Sequence, residues 1–197
     1  METSFENLIS SYIDHNVGVS KDFLTEDLAH NLRNNILKLY KEQLLKTAGI
    51  GRLDTFVKNK EIRSDVIYWL DKKNNNPHEL AFFEHIENFI LYLNKECYTG
   101  ITGYEFHYAL YKPNTFYKRH LDQFQDVNTR QFSMITYLNL NWKEGDGGEL
   151  MIYNKETSLA IRPTNRKTIF FKSNELEHEV LKTNEMRLSI TGWLRRD

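Results

Sequence analysis

At 197 residues the chain is long enough for one domain with a substantial core and too short for two of ordinary size. Its 26 basic and 27 acidic residues nearly cancel, and no apolar stretch approaches a membrane span, so neither a nucleic-acid nor a membrane partner is expected. Cys97 stands alone, which excludes an intrachain disulfide and a cysteine-built zinc site; Met1-Glu-Thr-Ser-Phe-Glu lacks the basic start and apolar run of a secretory signal, and a reducing, cytoplasmic setting is expected.

The first half reads as helical. Thr25 suits an N-cap, with Glu26 and Asp27 in the first turn. Leu28, Leu32, Ile36, Tyr40 and Leu44 follow at steps of four, an apolar stripe on one helix face. A second helix is predicted to start at Asn76-Pro77, with Asn as cap, Pro in the first turn and Glu79 behind it. Leu80, Phe83, Ile86, Ile90 and Leu93 form its stripe, and Gly100 lies just beyond its end. Between the helices, Ala48-Gly-Ile-Gly-Arg52 and the β-rich stretch Glu61–Leu70 read either as a hairpin with a mobile tip or as an ordinary connector.

From about residue 102 the pattern changes to short strands, predicted over 103–111, 115–122, 131–139, 149–154, 167–172, 177–181 and 186–194. Asp146-Gly147-Gly148 and Pro163-Thr-Asn165 mark turns between them. The expected class is mainly β with N-terminal helices (α+β), closed as a barrel or a double-sheet jelly roll. One domain is expected over 1–197. Residues 1–100 would be helical support carrying the hairpin 49–70, and 101–197 would be the strand-built core.

Chemistry concentrates in this second half. His120 and Asp122 are two apart, so on one strand they project from the same face. His178 on a neighbouring strand would complete a two-His-one-carboxylate set, which suits non-haem Fe(II) and leaves coordination positions open. A His-x-Asp pair alone is weak evidence, because a lone strand histidine is more often a packed core residue than a ligand. Its companions add the weight. In the last strand Arg187, Ser189, Thr191 and Trp193 share one face, and Leu188, Ile190, Gly192 and Leu194 share the other. Packing the leucines and Ile190 against the helices turns Arg187 and Thr191 into the mouth of the core. No acidic residue obviously pairs with Arg187, so a bound carboxylate fits its planar fork; an edge-strand surface Arg is the alternative. Ser133, Ile135 and Tyr137 share a face of another strand, and the Tyr137 phenol can add a hydrogen bond to the same carboxylate.

Taken together these residues resemble the Fe(II)/2-oxoglutarate dioxygenase superfamily, and within it the prolyl hydroxylases of the hypoxia-sensing type and their bacterial relatives. The resemblance runs through Tyr117-Lys-Arg-His120-Leu-Asp122, Arg130, Ile135-Thr-Tyr137-Leu-Asn139 and Trp142. It continues through Gly147-Gly148-Glu-Leu150, His178-Glu-Val180 and Arg187-Leu-Ser-Ile-Thr-Gly-Trp193. It covers most of the chain from Ala48 and is strongest over 104–195. It implies a double-stranded β-helix core buttressed by helices, with His120, Asp122 and His178 as ligands of Fe(II). It implies that Arg187, Tyr137, Thr191, Tyr111, Ile135 and Trp193 surround 2-oxoglutarate. The stretch 48–69 resembles the family's mobile substrate-side hairpin, which puts Arg63, Asp65 and Arg130 on the substrate side. Asp65 and Arg130, of opposite charge, can pair across the closed entrance or stay merely solvated. Relatives often carry Gly where Ser64 stands, and the loop from Lys112 to Thr115 is one residue shorter than theirs. The implied reaction consumes O2 and 2-oxoglutarate, with ascorbate as reductant, and hydroxylates a proline in a protein or peptide. Asp122 also favours hydroxylation, since the superfamily's halogenases lack this carboxylate.

Three other readings remain. A dioxygenase acting on nucleic acid would carry a second Arg six residues after the first, where this chain has Trp193. A hydroxylase of a free amino acid or small metabolite would share the same metal and co-substrate residues. A non-catalytic jelly-roll binding module would have little reason to keep all of these parts at once.

Overall fold

The computed structural model describes residues 2–49, 61–123, 129–154 and 157–197. In chain order these form α1 (Glu2–His15), β1 (Gly18–Ser20), α2 (Glu26–Lys41), β2 (Lys46–Thr47), β3 (Val66–Trp69), a 3-10 turn at Lys72–Asn74 and α3 (Pro77–Cys97). Then follow β4 (Gly103–Tyr111), β5 (Tyr117–His120), β6 (Arg130–Tyr137), β7 (Leu150–Asn154), β8 (Thr157–Ile161), β9 (Thr168–Lys172), β10 (Glu177–Val180) and β11 (Arg187–Arg195).

The caps act as the sequence implies. The Thr25 hydroxyl accepts from the Leu28 amide, and the Asn76 side chain accepts from the His78 and Glu79 amides. Pro77 occupies the first turn of α3, where a missing N–H costs nothing. Tyr98 and Gly100, both at positive φ, end that helix. The stripes need correction at their ends. Leu44 lies beyond α2 and Leu80 is on the outer side of α3, and both are exposed, whereas Phe82 and Phe89 are buried. The helix α1 and the strands β1, β2 and β8 carry no strong periodic signal and were not expected.

The strands form two sheets, a seven-stranded one ordered β1-β9-β6-β11-β4-β3-β2 and a four-stranded one ordered β5-β10-β7-β8. Strand parity divides the core in two. Phe106, Tyr108, Leu110, Leu188, Ile190 and Leu194 face the helices and pack with Leu8, Leu32, Ile36, Ile86 and Phe89. Ala109, Tyr111, Ile135, Tyr137, Ile169 and Phe171 face the opposite way and meet Leu150, Ile152, Ile161 and Val180 of the small sheet. This is the helix-buttressed double-sheet jelly roll, and not the barrel. The stretch 61–70 is more than a loop: β3 pairs with β4 through the register Trp69↔His107 and Ile67↔Ala109. The expected mobile tip falls mainly at 50–60, outside the described residues.

Candidate active site

The two sheets enclose a cavity of about 240 Å³. Reading β11 inward gives its layout. Arg187 pairs with Tyr111; Ser189 lies between Ala109 and Tyr137; Thr191 lies between His107 and Ile135; Trp193 lies between Glu105 and Ser133. From Arg187 to Thr191 is about 14 Å of strand, at ~3.4 Å per residue.

The metal candidates stand on the small sheet. His120 ends β5 and is the direct partner of His178 on β10. Asp122 lies past the end of β5, in a bend, so strand alternation is not what aims it. Its backbone carbonyl accepts from Arg130 Nη1 at 3.2 Å, and its Oδ2 accepts from the Ser133 hydroxyl at 2.6 Å. These bonds fix the carboxylate between the imidazoles. His120 Nε2 is 3.4 Å from Oδ1 and His178 Nε2 is 3.5 Å from Oδ2. One donor atom from each of the three residues lies within 4.8 Å of the others.

The donors are preset for a cation. Each ring gives its Nδ1–H to a carbonyl, His120 to Lys118 at 2.8 Å and His178 to Leu176 at 3.2 Å. The lone pair is therefore left on each Nε2, facing Asp122. Burial pushes His178 down to about 4, against the pull of Asp122, so the ring is neutral near pH 7. Burial alone would raise the Asp122 carboxyl, but the two imidazoles when protonated, and the Ser133 hydroxyl, hold it below the usual carboxylate range. Two imidazoles and one buried carboxylate fit a divalent ion of nitrogen and oxygen preference. Tyr117 stacks on His120, with centroids 3.6 Å apart, and Phe171 meets His178 edge-on at 4.9 Å.

Arg187 is placed for an anion. It is 1% exposed, and within the described residues its Nη2 has no hydrogen-bond partner. Nε donates to the Gly148 carbonyl at 2.9 Å, and the guanidinium lies 5.0 Å from the Tyr111 ring and 4.9 Å from the Tyr137 ring. The Tyr137 hydroxyl is likewise buried and unbonded. Gly148 is at φ +66°, and a Cβ there would come within 3.1 Å of Arg187 Cδ, so the turn expected from Asp146-Gly147-Gly148 also seats the arginine. Tyr111, Ile135, Thr191 and Trp193 line the same cavity.

The substrate-side residues depart from expectation. Asp65 does not pair with Arg130. It is wholly buried and takes both arms of the Arg63 guanidinium, at 2.7 and 2.9 Å. Arg63 in turn lies over Tyr117 at 4.6 Å. Arg130 binds Glu105 at 2.7 Å and lies 3.5 Å over the Trp193 ring. Both arginines have closer carboxylates on their own walls of the cavity. Sequence reading also missed His107, Tyr117 and Ser133. Parity offered a signal for two of them, since His107 shares the inward face of β4 with Ala109 and Tyr111, and Ser133 that of β6 with Ile135 and Tyr137.

Comparison with known proteins agrees with this geometry. The 2OG-Fe(II) oxygenase superfamily matches residues 106–195, which hold the triad candidates and Arg187. A Pseudomonas putida prolyl-4-hydroxylase is 30% identical, with a TM-score of 0.88 over 98% of this chain and 99% of its own. The Trichoplax adhaerens prolyl hydroxylase, solved with a hypoxia-inducible factor oxygen degradation domain peptide, is 24% identical and shares the fold at a TM-score of 0.88, over 99% of this chain and 90% of its own. The hypoxia-inducible factor prolyl hydroxylase of Caenorhabditis elegans is 30% identical over 95% of this chain, which spans 28% of that protein's length. A three-donor cluster, a buried arginine with no acidic partner among the described residues and near full-length likeness to a hydroxylase thus converge, and the chain belongs to the 2OG-Fe(II) oxygenase superfamily.

Proposed function

We propose that the chain is an Fe(II)- and 2-oxoglutarate-dependent dioxygenase that hydroxylates a prolyl residue within a protein or peptide. One observation carries the reading: a three-donor cluster and an unpaired buried guanidinium share one cavity. The likeness to the Pseudomonas putida prolyl-4-hydroxylase supports the choice of proline.

His120, Asp122 and His178 would hold the iron. The bound iron, 2-oxoglutarate and O2 would supply the family's chemistry, in which co-substrate decarboxylation to succinate and carbon dioxide accompanies insertion of oxygen into a C–H bond. Arg187 would take the distal carboxylate of 2-oxoglutarate through its free Nη2, with the Tyr137 hydroxyl as a second donor. Gly148 and the Tyr111 and Tyr137 rings keep the guanidinium aimed while the site is empty. Ile135, Leu150 and Val180 make the walls between the two ends apolar, which keeps water from the reacting centre. Arg130 and Trp193 form a cationic and aromatic edge at the triad end of the cavity.

The test is incubation of a proteome extract with the protein, Fe(II), 2-oxoglutarate and ascorbate, followed by mass spectrometry. The expected result is prolines that have gained one oxygen atom, with succinate released in step. Hydroxylation confined to free amino acids or small metabolites would replace the protein-prolyl reading with the metabolite one. No succinate release under any condition would remove the enzymatic reading.

A further inference from the structure

The cavity has a second set of unpaired polar atoms, far from Arg187. His107 is 1% exposed, lines the cavity, and leaves both ring nitrogens without a partner among the described residues. The buried indole N–H of Trp193 next to it is also unbonded among the described residues. The imidazole packs against two indoles, 4.8 Å from Trp69 and 5.6 Å from Trp193 by ring centroids, and the indoles are themselves in contact at 6.4 Å. Its strand partner is Thr191, four residues along β11 from the arginine. The neighbouring rung carries Trp193 and Ser133, and Ser133 holds Asp122. His107 therefore stands level with the triad, on the facing sheet. An anchor for the distal carboxylate of the co-substrate already exists at the other end, so His107 is left over from that task.

We propose that His107 is a specificity-determining residue that donates a hydrogen bond to a backbone carbonyl flanking the target proline. The proposal rests on the prolyl reading above. A polar side chain this deep is costly to keep without a partner, and a bound ligand is the natural one. The ring is neutral: burial holds its pKa well below the ordinary value, and the charges of Arg63 and Arg130 hold it lower still. A neutral imidazole offers one N–H and one lone pair. An X-Pro linkage has no amide hydrogen, so what the peptide presents beside the ring is carbonyl oxygen. The donor nitrogen of His107 matches it, and the Trp193 indole, which can only donate, seeks an acceptor in the same place. Trp69, about half exposed at the end of β3, covers the imidazole from the entrance side and gives the pyrrolidine an aromatic surface to lie on.

The experiment uses the full chain loaded with Zn(II), which does no redox chemistry, and 2-oxoglutarate. The probes are N-acetylated, C-amidated nonapeptides with a central proline and random flanks, and a matched set with central alanine. The tightest proline binder is taken forward. His107→Leu is expected to weaken its binding at least tenfold (about 1.4 kcal/mol), while His107→Gln, which keeps an N–H, recovers most of it. In the unmutated protein, peptide addition is expected to move the ¹⁵N resonances of the His107 ring, a readout that does not depend on how a variant folds. Proline-selective binding with unmoved His107 resonances, or unweakened by His107→Leu, overturns the proposal and leaves the prolyl reading standing. Loss of 2-oxoglutarate affinity in His107→Leu equal to its loss of peptide affinity assigns the residue to the co-substrate and also overturns it. Equal binding of alanine and proline peptides, both dependent on His107, keeps the carbonyl contact and removes the prolyl reading. No peptide binding at all removes both.

Discussion

Arg187→Met separates function from stability with opposite signs. The substitution keeps a long unbranched side chain and removes the charge. Arg187 is almost wholly buried, its Nε donates to the neutral Gly148 carbonyl, and its Nη2 is unbonded among the described residues. Replacing a poorly satisfied buried charge by an apolar side chain of similar shape is neutral to stabilising by about 1–4 kcal/mol. Each ~1 kcal/mol moves Tm by about 2–4 °C in a chain of this size. The ligand-free variant should therefore melt at the parent's Tm or up to about 15 °C higher. Loss of a buried charged partner for the co-substrate carboxylate should cost about 2–5 kcal/mol of binding, which is roughly 30-fold to several thousand-fold in Kd. Calorimetric titration of 2-oxoglutarate into the Zn(II)-loaded protein reads the second effect, and a thermal melt of the metal-free protein reads the first. A Kd within threefold of the parent, or a Tm lowered by ten degrees, would refute the assignment of Arg187 as an anion anchor kept at the expense of stability.

Other expectations concern the parts around the site. Ser133→Ala removes the hydroxyl that holds Asp122 Oδ2 and should weaken metal affinity by about 10–100-fold; a chelator competition that gives the parent's affinity would contradict this. Asp65→Ala strands the Arg63 guanidinium inside the wall and should destabilise the fold by about 3–5 kcal/mol, measured by urea denaturation, with a loss under 1 kcal/mol as the contrary result. Glu79 is buried, accepts from the Asn35 side chain on one oxygen, and leaves Oε2 unbonded. Burial raises its carboxyl above the ordinary value, so the fold favours the protonated form and loses stability as pH rises through the raised pKa. Glu79→Gln, which imitates that form, should raise Tm at pH 7.5 and leave it nearly unchanged at pH 4; a gain of equal size at both would show that ionisation is not the cause.

The sequence by itself determined the strand half of the chain, the helix caps and the identity of the chemical groups. The alternation of Arg187, Ser189, Thr191 and Trp193 against Leu188, Ile190 and Leu194 is a local property of an extended chain, and the sheet obeys it. Thr25 and Asn76 cap helices because they answer amides within three residues. The same parity set His107 toward the cavity, although nothing local gave that position meaning. Tertiary structure alone decided the rest. Asp122 reaches the imidazoles from a bend held by Arg130 and Ser133, residues eight and eleven positions away, so its apparent strand spacing was a coincidence of count. Charge signs suggested an Asp65–Arg130 pair, yet Asp65 holds Arg63 two residues away, and Arg130 on β6 meets Glu105 on β4 across the intervening β11. The helix α1 and the short strand β1 gain their stability from burial against the sheet and not from periodicity. Opposite charges and hydrogen-bonding groups act over a few ångströms, and which groups come that close is fixed by long-range packing, which a linear reading cannot measure.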